Sequence, residues 1–112
     1  MIKELLTAAG VTHARGRFLR LPEGTCAVYF DNIEVDAPDR VEGLASAGLP
    51  RIYTHNVTIE VYEPMKDDDT ETAIEAELDA RGLTWTKEDR YWLQDLQRYQ
   101  VIYETTYTSK SK

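Results

Sequence analysis

Residues 51–63 alternate without a break: Tyr53, His55, Val57, Ile59 and Val61 fall on one side, and Thr54, Asn56, Thr58 and Glu60 on the other. Successive side chains of a strand point to opposite faces, so this run is a strand with one buried and one wet face. Pro64 stops it, because proline has no N–H to give to a ladder. A half-buried strand needs partners beside it and a layer over its apolar face. Residues 25–35 are rich in β-branched and aromatic side chains, with Asp31 and Asn32 in the middle, and fit either one long bent strand or a tight hairpin. Residues 83–86 read as a short strand, and 97–108 as a long one whose Tyr99, Val101, Tyr103, Thr105 and Tyr107 share a face. Between them, residues 87–96 mix charges with Tyr91, Trp92, Leu93 and Leu96 and fit a strand extension with a bulge or a short helical turn.

The covering layer is helical. Ile2, Leu5, Leu6 and Ala9 recur at helical spacing ahead of Gly10, and residues 70–81 carry a narrow stripe of Ala73, Ile74, Glu77 and Leu78. Asp68 and Glu71 have the spacing of a capping box, and Gly82 stands where a left-handed C-cap belongs. Residues 13–20 read as a basic connector, followed by a Pro22-Glu23-Gly24 turn. Residues 37–50, with two prolines and two glycines, read as an arm, and 109–112 as a disordered polar tail. The expected fold is therefore α+β: one domain over residues 1–108, with a mainly antiparallel sheet of four or more strands and two helices packed on one face. Such a sheet has two open edges that can pair with other chains.

Charge and composition narrow the chemistry. The 112 residues carry a net charge of −7, and 42% of them are hydrophobic, an ordinary balance for a folded domain. The longest apolar run, residues 26–30, is far below the ~20 residues needed to cross a bilayer, and the first ten residues lack a secretory pattern, so a cytoplasmic protein is expected. A single cysteine, Cys26, forms no internal disulfide and no zinc cluster; alternating with Val28 and Phe30, it reads as a small core residue. His13 and His55 are the only imidazoles, and His55 reads as a strand histidine satisfied by backbone or solvent. The run Asp67-Asp68-Asp69 lacks the alternate ligand spacing and the glycine of a calcium loop, and no glycine-rich phosphate cradle is present. Arg15, Arg17 and Arg20 make a small basic cluster of the kind found on solvated or inter-subunit surfaces. No catalytic, metal or cofactor-binding residue is expected, and the chain is not expected to be an enzyme. Charge is uneven: from Glu60 to Ala80 nine acids stand against Lys66 alone. Six of the eleven aromatic residues lie in the last third.

Three stretches carry a resemblance: Leu21-Pro22-Glu23-Gly24-Thr25, the strand from Thr54 to Glu63, and residues 85–108, with Asp89-Arg90-Tyr91-Trp92-Leu93-Gln94 and Tyr99-Gln100-Val101-Ile102-Tyr103-Glu104. Over nearly its whole length the chain resembles bacteriophage and prophage tail terminators, the tail-completion proteins of long-tailed phages. That resemblance implies a structural virion protein that assembles as a ring, typically a hexamer. Such a ring caps the tail-tube protein and meets a head-completion protein. DNA passes through without specific binding, and no membrane or cofactor is involved. The implied location is the virion, and the host bacterial cytoplasm during assembly. Under this reading Val41, Leu44 and Leu49 of the arm, with Tyr91 and Trp92, are candidates for the subunit interface. Asp67, Asp68, Asp69, Glu71 and Glu75 are candidates for an acidic lumen, where repulsion removes the counterion-release gain that drives non-specific DNA binding. Two other classes stand beside it. An acidic phage-encoded inhibitor or regulator would bind a host protein, and a small hydrolase would need Cys26 or His55 exposed beside a pocket.

Overall fold

The computed structural model describes residues 1–36 and 51–110. The chain runs α1 (Ile2–Ala8), β1 (Thr12–Arg15), β2 (Cys26–Asp36), β3 (Ile52–Glu63), α2 (Asp68–Ala80), β4 (Trp85–Leu93) and β5 (Arg98–Lys110). The strands form one five-stranded sheet in the order β1-β2-β3-β5-β4, antiparallel except for the β1–β2 pair. This is the α+β architecture expected from the alternation. Residues 37–50, with Val41, Leu44 and Leu49, lie outside the described residues, as do residues 111–112.

Both helices pack on one face. Ile2, Leu5 and Leu6 of α1 and Ile74 and Leu78 of α2 close over Ala27, Val57, Ile59, Val61, Val101 and Tyr103. In β3 the odd residues from Val57 to Glu63 are buried and the even ones only partly so, as a strand covered on one side requires. On the other face Cys26 and Val28 are buried as well.

Three local readings are revised and two open ones are decided. Residues 12–15, expected within a connector, form a parallel edge strand paired with β2 from Thr12↔Cys26 to Arg15↔Tyr29. Four residues without apolar alternation carry no strand signature, and only the neighbouring strand recruits them. Of the two forms open for residues 25–35 the single long strand is the one found, with no turn or bulge at residues 31 and 32, since β2 pairs with β3 in unbroken register from Cys26↔Tyr62 to Asp36↔Ile52. The cap of α2 is Asp67, one residue before the expected capping box: its Oδ1 accepts from Thr70 N at 3.0 Å. Its Oδ2 also accepts from Thr25 Oγ1 at 2.6 Å, so the helix start is tied to the approach to β2, and that bond is the main reason the Asp67 carboxyl is held below its usual range. Ser109 and Lys110, expected in a disordered tail, continue β5 opposite Tyr53 and Ile52. The ambiguous stretch 87–96 resolves into a strand with a register shift between Glu88 and Tyr91, then a turn in which Gln97 takes φ 53°.

The molecule is elongated. Its radius of gyration is 17.2 Å and its extents are 59 × 28 × 22 Å, against about 13 Å expected for a compact chain of this length. β2, β3 and β5 run on beyond the edge strands. β1 stops at Arg15↔Tyr29 and β4 begins at Trp85↔Thr105, so past those levels, among the described residues, the sheet narrows to three strands. Five residue levels, from Asn56 to Ile52 of β3, at ~3.3 Å each make a blade about 17 Å long.

Candidate functional site

Two constellations stand out, one at each end of the sheet. The first is a buried charge cluster where α2 crosses β3, β5 and β4. Glu63 has no exposed surface and Glu71 is 4% exposed. Both meet cations from the edge strand: Arg90 Nε lies 3.1 Å from Glu63 Oε1, Arg90 Nη2 bonds Glu71 Oε2 and lies 2.6 Å from Asp68 Oδ1. Lys87 Nζ lies 2.8 Å from Glu71 Oε1 and 2.7 Å from Glu75 Oε2, and Tyr103 donates to that same Glu75 oxygen at 2.7 Å.

The bulge in β4 is what brings the cations together. Before it, Lys87 pairs with Tyr103 on the helix-covered face; after it, Trp92 pairs with Tyr99 on that same face. The extra residue resets the alternation, so Arg90 joins Lys87 on the covered side rather than pointing away from it. Burial, and then the adjoining Glu71 carboxylate, push the Glu63 carboxyl up to about 7, with the Asp67 N–H and Arg90 opposing. Burial works against ionisation of Glu71 too, but Glu63, Lys87 and Arg90 hold it below the usual carboxylate range. Glu63 Oε2 is buried and receives no hydrogen bond, so no donor there stabilises the charged carboxylate.

The second constellation lies on the blade and on the two levels at its root, those of Phe30 and Asp31. Phe30 and Ile52 on one face, and Ile33 and Val35 on the other, are 38–48% exposed. On the Ile33 side the register sets His55 beside Tyr107, with Asp31 and Ser109 at the flanking diagonal positions. His55 Nδ1 lies 3.0 Å from both Asp31 carboxylate oxygens, and His55 Nε2 lies 2.8 Å from Ser109 Oγ. The Tyr107 ring stacks on the imidazole at 4.3 Å and 5°. His55 therefore has side-chain partners in place of the backbone or solvent contacts expected for it. Sequence reading missed the trio because Ser109 was assigned to a tail. The signal that finds it is parity along three adjacent strands, which needs the register.

The candidate residues separate. Tyr91 and Trp92 lie on edge strand β4, both exposed, and face opposite sides: Tyr91 Oη bonds Gln100, and Trp92 meets Tyr99 edge-on at 4.9 Å. Of the proposed lumen acids, Asp69 is exposed, Asp68 is exposed and bonded to Arg90, and Asp67 is spent on the cap. Glu71 and Glu75 turn toward the sheet and are paired with Lys87, Glu71 buried and Glu75 partly exposed. Cys26 and His55 lie on opposite faces, and burial pushes the Cys26 thiol up, so those two groups do not form a nucleophile–base pair. Among the described residues no group of three or more His, Cys, Asp or Glu is arranged to hold a metal ion, and no helix is long and apolar enough to cross a membrane.

No protein-family model and no curated protein matches the chain.

Proposed function

We propose that the chain is a structural subunit of a phage head–tail junction that assembles as a ring, hexameric by its resemblance to tail terminators, caps the tail-tube protein and joins it to a head-completion protein. The observation that carries this reading is the blade. Three strands extend about 17 Å past the levels that the edge strands β1 and β4 reach, with aliphatic side chains exposed on both faces and, among the described residues, no strand along either edge. A ribbon whose outer levels have no covering layer among the described residues buries little of its own apolar surface there and gains stability by packing on something else.

At the opposite end of the long axis Met65, Trp92 and Leu96 form a second exposed apolar group beside the β4–β5 turn. Two unlike patches at two ends are what a head-to-tail contact between copies requires, and such contacts close into rings when the rotation allows. DNA would pass through without specific binding, helped by the exposed Asp68, Asp69 and Asp79 on α2.

The test is capping. The purified chain, added to polymerising tail-tube protein, is expected to stop growth and to be seen at one tip of each tube by electron microscopy. A chain carrying Ile33→Asp and Val35→Asp is expected to melt as the parent does and to cap no tubes. Tubes that grow to the same length with and without the parent chain overturn the reading.

A further inference from the structure

Ring assembly makes no use of the polar side chains on the blade, yet they form the most ordered arrangement of reactive groups in the molecule. A carboxylate only accepts hydrogen bonds, so Asp31, 3.0 Å from His55 Nδ1, places the ring proton on Nδ1. In the neutral ring Nε2 is then the acceptor, and the Ser109 hydroxyl donates to it at 2.8 Å. The stacked Tyr107 ring holds the imidazole plane. Nucleophile, base and orienting carboxylate are thus in hydrogen-bond reach in the sequence that activates a serine. His55 and Asp31 are both largely buried, with side chains 13% and 14% exposed, which strengthens their mutual attraction relative to water. Ser109 is half-buried in a part of β5 that β4 does not reach, so along residues 106–110 every second backbone N–H points outward without a ladder partner among the described residues.

We propose that Ser109 is an activated nucleophile that takes an acyl group from small activated esters, with His55 as its base and Asp31 as a positioning residue. Ser109 Oγ bonds to the ester carbonyl carbon while its proton passes to His55 Nε2. The tetrahedral adduct then collapses: the bond from carbon to the leaving oxygen breaks, and that oxygen takes the proton back from Nε2. The products are acyl-Ser109 and the free alcohol or phenol. Release by water repeats the same steps. On this open ribbon hydrogen bonds to the developing oxyanion compete with solvent in both halves, but the activated alcohol or phenol leaves far more readily than the serine oxygen, so the second half is the slower and the acylated serine accumulates. The proposal is independent of ring assembly.

The test uses the full chain with p-nitrophenyl acetate and, separately, a fluorophosphonate, read by intact mass, peptide mapping and the p-nitrophenolate burst. One adduct on Ser109 and a burst matching the protein concentration are expected. Ser109→Ala, at a strand end where it removes only an oxygen, is expected to keep the fold by circular dichroism and abolish both. His55→Gln is expected to slow the burst about 100-fold or more. Asp31→Asn is expected to slow it too and to change its pH profile, which a merely structural carboxylate would not do. Ser109→Cys is expected to alkylate with iodoacetamide faster at neutral pH than the same variant carrying His55→Gln. Absence of an adduct on Ser109, label spread evenly over serines, tyrosines and lysines, or an undiminished burst in Ser109→Ala overturns the proposal.

Discussion

Arg90, set on the bulge of edge strand β4, places its Nε 3.1 Å from Oε1 of Glu63, a residue with no exposed surface on the neighbouring side of the sheet. One guanidinium serves Glu63, Glu71 and Asp68 together, so the bulge, the start of α2 and the end of β3 share a single counter-charge. Removing it leaves the buried Glu63 without its cation and Glu71 with Lys87 alone. Arg90→Met is expected to cost about 3–5 kcal/mol of unfolding free energy, the usual penalty for breaking a buried ion pair on one side. A urea titration at neutral pH checks this, and a loss below about 1 kcal/mol, the range of a surface pair, would show that the cluster is solvated and the ion pairs weak.

The same cluster sets a pH dependence with a definite sign. Glu63 titrates near 7 in the folded chain, against about 4.3 in an unfolded one. Between those values the folded state holds a proton that the unfolded state has released, so this group makes stability fall as pH rises, and the effect levels off above about 7. Glu71, held below its usual value, acts oppositely and at lower pH: its contribution is present above the unfolded value and is lost as the solution is acidified. Glu63→Gln keeps the shape and the acceptor oxygen but removes the titration. Its urea midpoint is expected to vary less than the parent's between about pH 5 and 7. An equally steep decline in both proteins would place the responsible group elsewhere.

Asp67 joins two elements through one carboxylate, capping α2 at Thr70 N and accepting from Thr25 Oγ1. Asp67→Ala is expected to lower stability by about 1–2 kcal/mol, the upper part of the range for an N-cap, because both bonds go at once. Thr25→Val removes only the second bond and is expected to cost less. Thermal melts of the two variants rank them, and a larger loss in Thr25→Val would reverse the assignment.

Gly82 closes α2 at φ 69°, with open space where a Cβ would stand. Gly82→Ala therefore meets backbone strain and no collision, and about 1 kcal/mol of destabilisation is expected. Gly82→Asn, which tolerates this region better, is expected to lose less. Equal melting temperatures for all three chains would show that the turn relaxes freely.

The exposed aliphatic residues of the blade give the opposite kind of expectation. Ile33→Thr and Val35→Thr, both on a strand and both about half exposed, are expected to shift unfolding free energy by no more than about 0.5 kcal/mol. A loss of several times that in the isolated chain would mean that the blade's faces are covered within a single copy.

Period-two alternation over 51–63 made β3, its buried face and the need for a covering layer readable in one dimension, since a strand's two faces follow from the backbone pleat alone. The helical spacing of Ile2, Leu5 and Leu6, and of Ile74 and Leu78, was readable for the same reason. Strand β1 was not, because its four residues owe their conformation to β2 and carry no pattern of their own.

The two polar constellations belong to the assembled sheet. Asp31, His55 and Ser109 lie 24 and 54 positions apart along the chain, and only the β2–β3 and β3–β5 registers put them on adjoining diagonals. Arg90 meets Glu63 only because a bulge turns it to the covered face. Local patterning dictates which face of an element is apolar, through interactions within a few residues. Register, bulge position and the reach of one strand past its neighbours are set by the joint packing of the whole sheet, and those decide which polar groups meet.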